Sequence, residues 1–141
     1  RQVDGVAVED VRPVAADRPE GAMAALAAAE SIVTVEPGQR LQAAACALRR
    51  LLDADWSAVL RLPTGEWLGQ CGEPVAVEWL TAFLNGSEHL TDSGHAGPGD
   101  LVWARLPRHG AAVACGRADR VFHERERLEV QALARILDAL D

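Results

Sequence analysis

Residues 122–140, FHERERLEVQALARILDAL, constrain the fold of this chain more than any other stretch. Their apolar residues recur at the three- and four-residue spacing of an amphipathic helix and form two neighbouring seams. One seam can cover a sheet, whereas the second needs another partner, because a wide apolar arc left in water is unusual on a monomer. The sequence therefore predicts a terminal helix with two packed faces. The first seam is Val130, Leu133, Leu137 and Leu140, and the second is Leu128, Ala132, Ile136 and Ala139.

The composition is that of a single globular domain. Of the 141 residues, 49% are hydrophobic and 25% are charged, which suits one hydrophobic core. The net charge of −7 argues against direct nucleic-acid binding and against an anionic membrane surface, because both need a basic face. No apolar run approaches the roughly 20 residues that span a bilayer. We therefore expect a cytoplasmic domain with no membrane partner.

The start of the chain indicates a piece of a longer protein, since Arg1 stands where an initiating Met would be. We expect adjacent domains on that basis. The absence of Lys and the abundance of Ala are typical of a GC-rich bacterial coding sequence. Residues 1–19 contain two prolines and no sustained period, which favours a linker or the tail of a preceding element. Residues 20–141 are then one domain that includes an N-terminal helix.

The order of predicted elements indicates an α+β fold with a central antiparallel sheet. Helices alternate with two strand–turn–strand units, and hairpins with helices grouped around them favour this class over alternating parallel units. The turns follow from Pro63-Thr64-Gly65 and from residues 107–110, PRHG. A long irregular stretch, residues 87–100, lies between the two units. The helices are predicted at residues 20–35, 41–53, 74–84 and 124–140, and the strands at residues 56–62, 66–71, 101–106 and 111–115.

Three segments carry a family resemblance: LQAAACALRRLLDADWSAVLRL, RLPRHGAAVACGR and FHERERLEVQALARIL. They resemble the GAF family of small sensory domains, whose architecture is related to that of PAS domains, and the resemblance covers roughly residues 41–140. It implies that the N- and C-terminal helices pack on one face of the sheet. It also implies that the third helix and its loop cover a ligand pocket on the other face.

The resemblance places the candidate ligand-binding residues on that pocket side. They carry aromatic or imidazole side chains, and the alternative is that the tryptophans fill the pocket as core residues. The two loop histidines could hold a metal or a haem, but their spacing matches no recognised metal motif. The sequence therefore names no cofactor and no metal. The candidates are Trp67, Trp79, Phe83, His89, His95 and Trp103.

The cysteines and the missing catalytic motifs argue against an enzyme. Cys46, Cys71 and Cys115 are odd in number and contain no CxxC pair, so reduced, buried thiols are expected. A redox pair of Cys71 and Cys115 is the alternative, because some GAF relatives use cysteines to reduce free methionine sulfoxide. No nucleophile elbow, phosphate-binding loop or dinucleotide fingerprint is present. We therefore expect no catalytic activity.

These observations predict a non-catalytic sensory domain of a bacterial signalling or transcription-control protein. It would bind a small effector or a partner and pass the change through its terminal helices. The alternative is a ligand-free dimerisation and spacer module with a pocket filled by tryptophan. In both cases we expect a helical-bundle homodimer. Its predicted interface residues are Leu41, Leu48, Leu52, Val130, Leu133, Leu137 and Leu140.

Overall fold

A computed structural model describes residues 12–73, 77–86, 100–118 and 120–140, with the backbone alone for residues 12–20. It contains a four-stranded antiparallel sheet and four α-helices, which confirms the predicted α+β class. Short 3₁₀ turns at Pro37–Gln39 and Pro107–His109 precede α2 and β4. The main elements are α1 (Arg12–Val33), α2 (Arg40–Leu52), β1 (Trp56–Arg61), β2 (Trp67–Gly72), α3 (Val77–Gly86), β3 (Leu101–Leu106), β4 (Ala111–Gly116) and α4 (Glu124–Ala139).

The first helix starts earlier than the sequence pattern predicts. α1 begins at Arg12 instead of residue 20. Pro13 lies in its first turn, where a missing backbone N–H removes no helical hydrogen bond. The helix therefore crosses the predicted domain boundary at residue 20, and that boundary remains a prediction. The predicted start of the third helix at Pro74 lies outside the described residues.

The sheet has the order β2-β1-β4-β3, with every neighbouring pair antiparallel. Two hairpins, β1-β2 and β3-β4, lie side by side, so β1 and β4 form the centre of the sheet. The second hairpin turns at Gly110, whose φ of +61° is a left-handed conformation that glycine adopts without steric cost. All six residues of β4 are buried. Burial on both faces explains why its sequence, AAVACG, contains no alternating polar residues.

Three helices cover one face of the sheet. Alternate residues of β3 point to this side, as the pleat of a strand requires: Val102, Ala104 and Leu106 belong to the same core as the buried residues of α1, α2 and α4. We call this the helix-layer face. Its helical members include Ile32, Leu48, Leu52, Val130, Leu133 and Leu137.

The opposite face of the sheet packs against α3. Leu80 and Leu84 of α3 are fully buried with Leu60 of β1 and Trp103 of β3. The sheet is thus enclosed between two layers, and burial of each large apolar side chain contributes on the order of 1.5–3 kcal/mol. We call this the α3 face.

The predicted dimer-interface residues lie mostly inside the chain's own core. Five of them are at most 4% exposed, so they are not available to a second copy. These five are Leu48, Leu52, Val130, Leu133 and Leu137. Leu41 and Leu140 are partly buried at the edge of the same core. The first seam of α4 therefore covers the sheet, and the second seam faces outward, with Leu128 53% and Ile136 40% exposed.

No helix in the described part of the chain is both long enough and apolar enough to cross a lipid bilayer.

Candidate functional site

Three aromatic rings connect the core of the α3 face to the surface. The ring of Phe83 meets Trp103 edge-on, with centroids 4.9 Å apart. On its other side Phe83 stacks on Trp79 at 5.6 Å and an interplanar angle of 12°. Trp103 is fully buried, whereas Trp79 is 49% exposed. We call these three residues the aromatic cluster.

The aromatic cluster contains three of the six predicted ligand-binding residues, and a fourth, Trp67, packs against the same core. Phe83 and Trp103 occupy the space between α3 and the sheet, where the resemblance implied a pocket. The indole N–H of Trp103 is buried and has no hydrogen-bond partner among the described residues. The predicted ligand residues His89 and His95 lie outside the described residues.

A cleft of about 310 Å³ opens beside the aromatic cluster, where β1 and β3 begin and β4 ends. Trp56, Trp79 and Leu101 form its apolar walls. Gly116 lies beneath the indole of Trp56. Only glycine fits at this position, because a Cβ would lie 2.5 Å from the indole Nε1. Among the described residues, the polar lining consists of Asp55, Glu73, Asp100 and Arg117. This part of the lining carries three carboxylates and one guanidinium and is therefore acidic.

The side chain of Arg117, which follows β4 directly, donates hydrogen bonds to four other residues. Its guanidinium makes a bidentate pair with Glu126 of α4, at 2.9 and 2.7 Å. It also donates to the carbonyl oxygens of Leu52 (2.5 Å) and Val121 (2.7 Å) and lies 4.1 Å from the ring centroid of Phe122. Arg117 thereby links the end of the sheet to the end of α2 and the start of α4.

The Arg117 pair sets the charge state of Glu126. Partial burial alone would raise the pKa of this carboxyl, but hydrogen bonds from Arg117 and from the His123 backbone N–H outweigh burial and hold the pKa below its usual range. The negative charge is also favourable at the N-terminal end of α4. Sequence reasoning missed Arg117. The sequence does contain a signal for its partner, because Glu126 stands three residues after His123, which is the spacing of a helix-capping carboxylate.

A second contact attaches the other end of α4. The carboxylate of Asp138 lies 3.1 Å from His109 Nδ1 and accepts the backbone N–H of Arg108 at 3.0 Å. His109 belongs to the turn between β3 and β4, so the last turn of α4 is fixed to that hairpin. Within the described residues there is no group of three or more side chains that could hold a metal ion.

Cys115 is an inert core thiol. It is fully buried, and burial raises its pKa to about 12, although a 3.3 Å contact with the Ser57 hydroxyl opposes the rise. Ser57 of β1 lies opposite both Cys71 and Cys115 in the flanking strands. Two strand spacings, about 10 Å, therefore separate those cysteines, and a disulfide requires Cα atoms closer than about 7 Å. The structure therefore argues against the alternative redox pair of Cys71 and Cys115.

Cys71 instead lies beside Cys46. The side-chain amide of Gln42 contacts Cys46 Sγ and bonds the backbone of Gln70, the residue before Cys71; each thiol shifts the pKa of the other, and both are partly exposed. No protein-family model and no curated protein matches the chain. Three features of the described residues are the candidates for function: the aromatic cluster with its cleft, the Arg117 network and the pair Cys46 and Cys71.

Proposed function

We propose that this chain is a non-catalytic regulatory domain of the GAF type, which passes a signal to adjacent domains through its terminal helices. Supporting this proposal, α1, α2 and α4 lie on one face of an antiparallel sheet and α3 on the other. The resemblance implies terminal helices on one face and the third helix on the other, and this layering supports the proposal without being specific to that family. The Arg117 network gives a physical route, because it links the end of the sheet beside the cleft to the helix layer.

The proposed domain associates through the outward faces of α1 and α4. The observation that carries this step is their exposed apolar side chains. Met23 and Leu26 of α1 are 66% and 64% exposed, and Leu128 and Ile136 of α4 are 53% and 40% exposed. The two helices are neighbours, since a Cβ on Gly21 would lie 3.8 Å from the guanidinium of Arg125. A second copy that presents the same faces would bury them in a symmetric helical bundle.

Sedimentation velocity tests the association. We expect the wild type to form a dimer and the double variant Leu128→Glu/Ile136→Glu to be monomeric, because two carboxylates would be buried without partners. Val121→Glu is the matched control: Val121 is 53% exposed but precedes α4, so this variant should remain dimeric. A wild type that stays monomeric up to its solubility limit would contradict the proposal, and so would a double variant that dimerises like the wild type.

The aromatic packing favours the ligand-free version of this domain for the space beneath α3. Trp103 is fully buried there and touches Phe83 edge-on. A ligand would have to displace one of these rings, at a cost of several kcal/mol in lost burial and ring contact. The domain therefore works primarily as an association module with a packed aromatic core.

Binding of a small cationic effector in the cleft is a second candidate function. The specific observation is the acidic lining beside the half-exposed ring of Trp79. Carboxylates attract a cation, and the face of a tryptophan binds one. The volume of about 310 Å³ is at the lower end of the range for small-molecule sites.

Thermal-shift measurements with choline and with cyclic AMP test this second candidate. Choline should raise the unfolding temperature in a concentration-dependent manner, and the anionic nucleotide should not. In Trp79→Ala the choline effect should disappear. Equal responses to the two compounds, or a choline effect that survives in Trp79→Ala, would exclude the cleft as a cation site.

A further inference from the structure

Cys46 and Cys71 are 25 positions apart in the sequence and are brought together by the packing of α2 on β2. Gly69 permits this packing: a Cβ at that position would lie 2.7 Å from the backbone oxygen of Leu41 and 3.0 Å from the Cα of Gln42. Helix and strand are therefore closer than any side chain at residue 69 would allow.

A pair of hydrogen bonds fixes the register between the two elements. The side-chain amide of Gln42 donates to the carbonyl oxygen of Gln70 at 2.8 Å and accepts the N–H of Gln70 at 3.0 Å. One helical turn after Gln42 comes Cys46, and one residue after Gln70 comes Cys71. The same amide group also lies 3.4 Å from Cys46 Sγ. The backbone fit and Gln42 thus place Cys46 and Cys71 at the same junction of α2 and β2.

The surroundings of the two thiols differ. Nη1 of Arg49 lies 3.9 Å from Cys71 Sγ. Partial burial would raise the pKa of Cys71, but the hydrogen bond with Cys46 and the charges of Arg49 and Arg50 outweigh it and lower the pKa. Burial and the neighbouring Cys71 raise the pKa of Cys46. The surroundings therefore favour the thiolate form more at Cys71 than at Cys46.

We propose that Cys46 and Cys71 form a peroxide-oxidised dithiol site, in which Cys71 reacts first and Cys46 then closes a disulfide between α2 and β2. The Cys71 thiolate attacks one oxygen of a hydroperoxide, the O–O bond breaks, and the leaving oxygen departs as hydroxide or alkoxide and takes up a proton. Cys71 is now a sulfenic acid. Cys46 attacks the Cys71 sulfur, and the hydroxyl group leaves as water with the proton from Cys46. The two thiols have supplied the two electrons that reduce the peroxide.

The site differs from Cys115 and does not depend on the proposed association. Its product would covalently attach the helix layer to the edge strand β2, since α2 packs against α1 and α4 in the same core. A dithiol reductant returns the disulfide to two thiols by thiol–disulfide exchange and is itself oxidised.

Peptide mapping tests the proposal, because cleavage after arginine places each cysteine in a different peptide. Cys46 falls in residues 41–49, Cys71 in residues 62–105 and Cys115 in residues 109–117. After treatment of the reduced protein with equimolar hydrogen peroxide, we expect peptides 41–49 and 62–105 to be joined, with the loss of two hydrogens. The peptide with Cys115 should remain a free thiol. Reduction should separate the joined peptides.

Alkylation rates supply a readout on the unaltered protein. Iodoacetamide should modify Cys71 faster than Cys46 at neutral pH, because only the thiolate reacts and the pKa of Cys71 is the lower of the two. Arg49→Gln should reduce this difference. In Cys46→Ser, dimedone should capture a sulfenic acid on Cys71, and in Cys71→Ser the peptide with Cys46 should stay unmodified at the same peroxide dose. Cys115→Ala is the matched control and should form the bridge like the wild type.

Four results would overturn the proposal: peptides 41–49 and 62–105 that remain thiols after peroxide, a bridge that involves Cys115, a bridge found only between two chains, or a Cys46 that is alkylated as fast as Cys71. Circular dichroism of each variant shows whether it is folded. Where a variant is unfolded, the alkylation rates of Cys71 and Cys46 in the wild type test the proposal instead.

Discussion

Replacing Arg117 by Met removes the charge that holds three elements together. Met keeps much of the volume but leaves the Glu126 carboxylate, whose side chain is 16% exposed, without its guanidinium partner. It also leaves the carbonyl oxygens of Leu52 and Val121 without the bonds they now accept. Removing one partner of a buried ion pair costs about 3–5 kcal/mol. A second estimate, from two buried acceptors left unsatisfied at about 1–3 kcal/mol each, falls in a similar range.

The magnitude converts directly to a melting temperature. An unfolding entropy of about 2.1 cal/mol/K per residue gives ~0.3 kcal/mol/K for 141 residues. A loss of about 3–5 kcal/mol then lowers Tm by roughly 10–17 °C. Urea titration followed by tryptophan fluorescence and by circular dichroism measures the free energy of unfolding independently.

The control for Arg117→Met is Arg120→Ala, which removes a surface ion pair between Arg120 and Asp53. Their side chains are 48% and 88% exposed, respectively. Its cost should be about 0–1 kcal/mol. The double variant Arg117→Met/Glu126→Met should recover part of the loss, because the uncompensated carboxylate is then absent. If Arg117→Met costs no more than Arg120→Ala, the assignment of Arg117 as the link between sheet, α2 and α4 is wrong.

Two further predictions concern pH and the packing of α2. The folded-state pKa of Glu126 is depressed. Its contribution to stability is therefore complete above the unfolded pKa of about 4.3 and is lost as pH falls from there through the folded pKa. Urea titrations at several acidic pH values should show that the free energy of unfolding falls more steeply with pH in the wild type than in Glu126→Gln. Gly69→Ala should destabilise the protein by about 1–3 kcal/mol, because its Cβ would overlap helix backbone. Gly38→Ala, with nothing within 4 Å of the new methyl group, should change stability by less than about 0.5 kcal/mol. A Gly69→Ala variant as stable as Gly38→Ala would show that α2 and β2 are farther apart than described.

Local patterns were sufficient to place most of the elements. β3 occupies residues 101–106 as predicted, because a run of apolar and β-prone residues is stopped by Pro107. The four helices and four strands occur in the predicted order. α1 is the exception: its first residues lie in a segment with two prolines, and helix signals there are weak.

Which side of α4 faces the sheet could not be read from periodicity alone. Both seams repeat at helical spacing, and only packing selects between them. The seam with Val130, Leu133 and Leu137 is buried because it carries the larger side chains, whereas the other alternates Leu128 and Ile136 with alanines. The predicted dimer interface thus includes Val130, Leu133 and Leu137, which the fold buries within one chain.

The remaining features depend on contacts between distant segments. An arginine after a strand reads as a loop residue, and Arg117 is buried only because α2 and α4 meet beside it. Cys46 and Cys71 are paired by the fit of a helix on an edge strand, which no local pattern contains. The predicted ligand residues came together because they share one face, yet Trp103 and Phe83 fill the space that the pattern assigned to a ligand.

The most direct test of the proposed association is hydrogen–deuterium exchange at a low and at a high protein concentration. Association through the outward faces should slow exchange in α1 and α4 as the concentration rises, around Leu26, Leu128 and Ile136 in particular. Peptides from α3 should be unaffected. Exchange that does not change with concentration, or that slows in α3 and not in α1 and α4, would contradict a domain that works through its terminal helices.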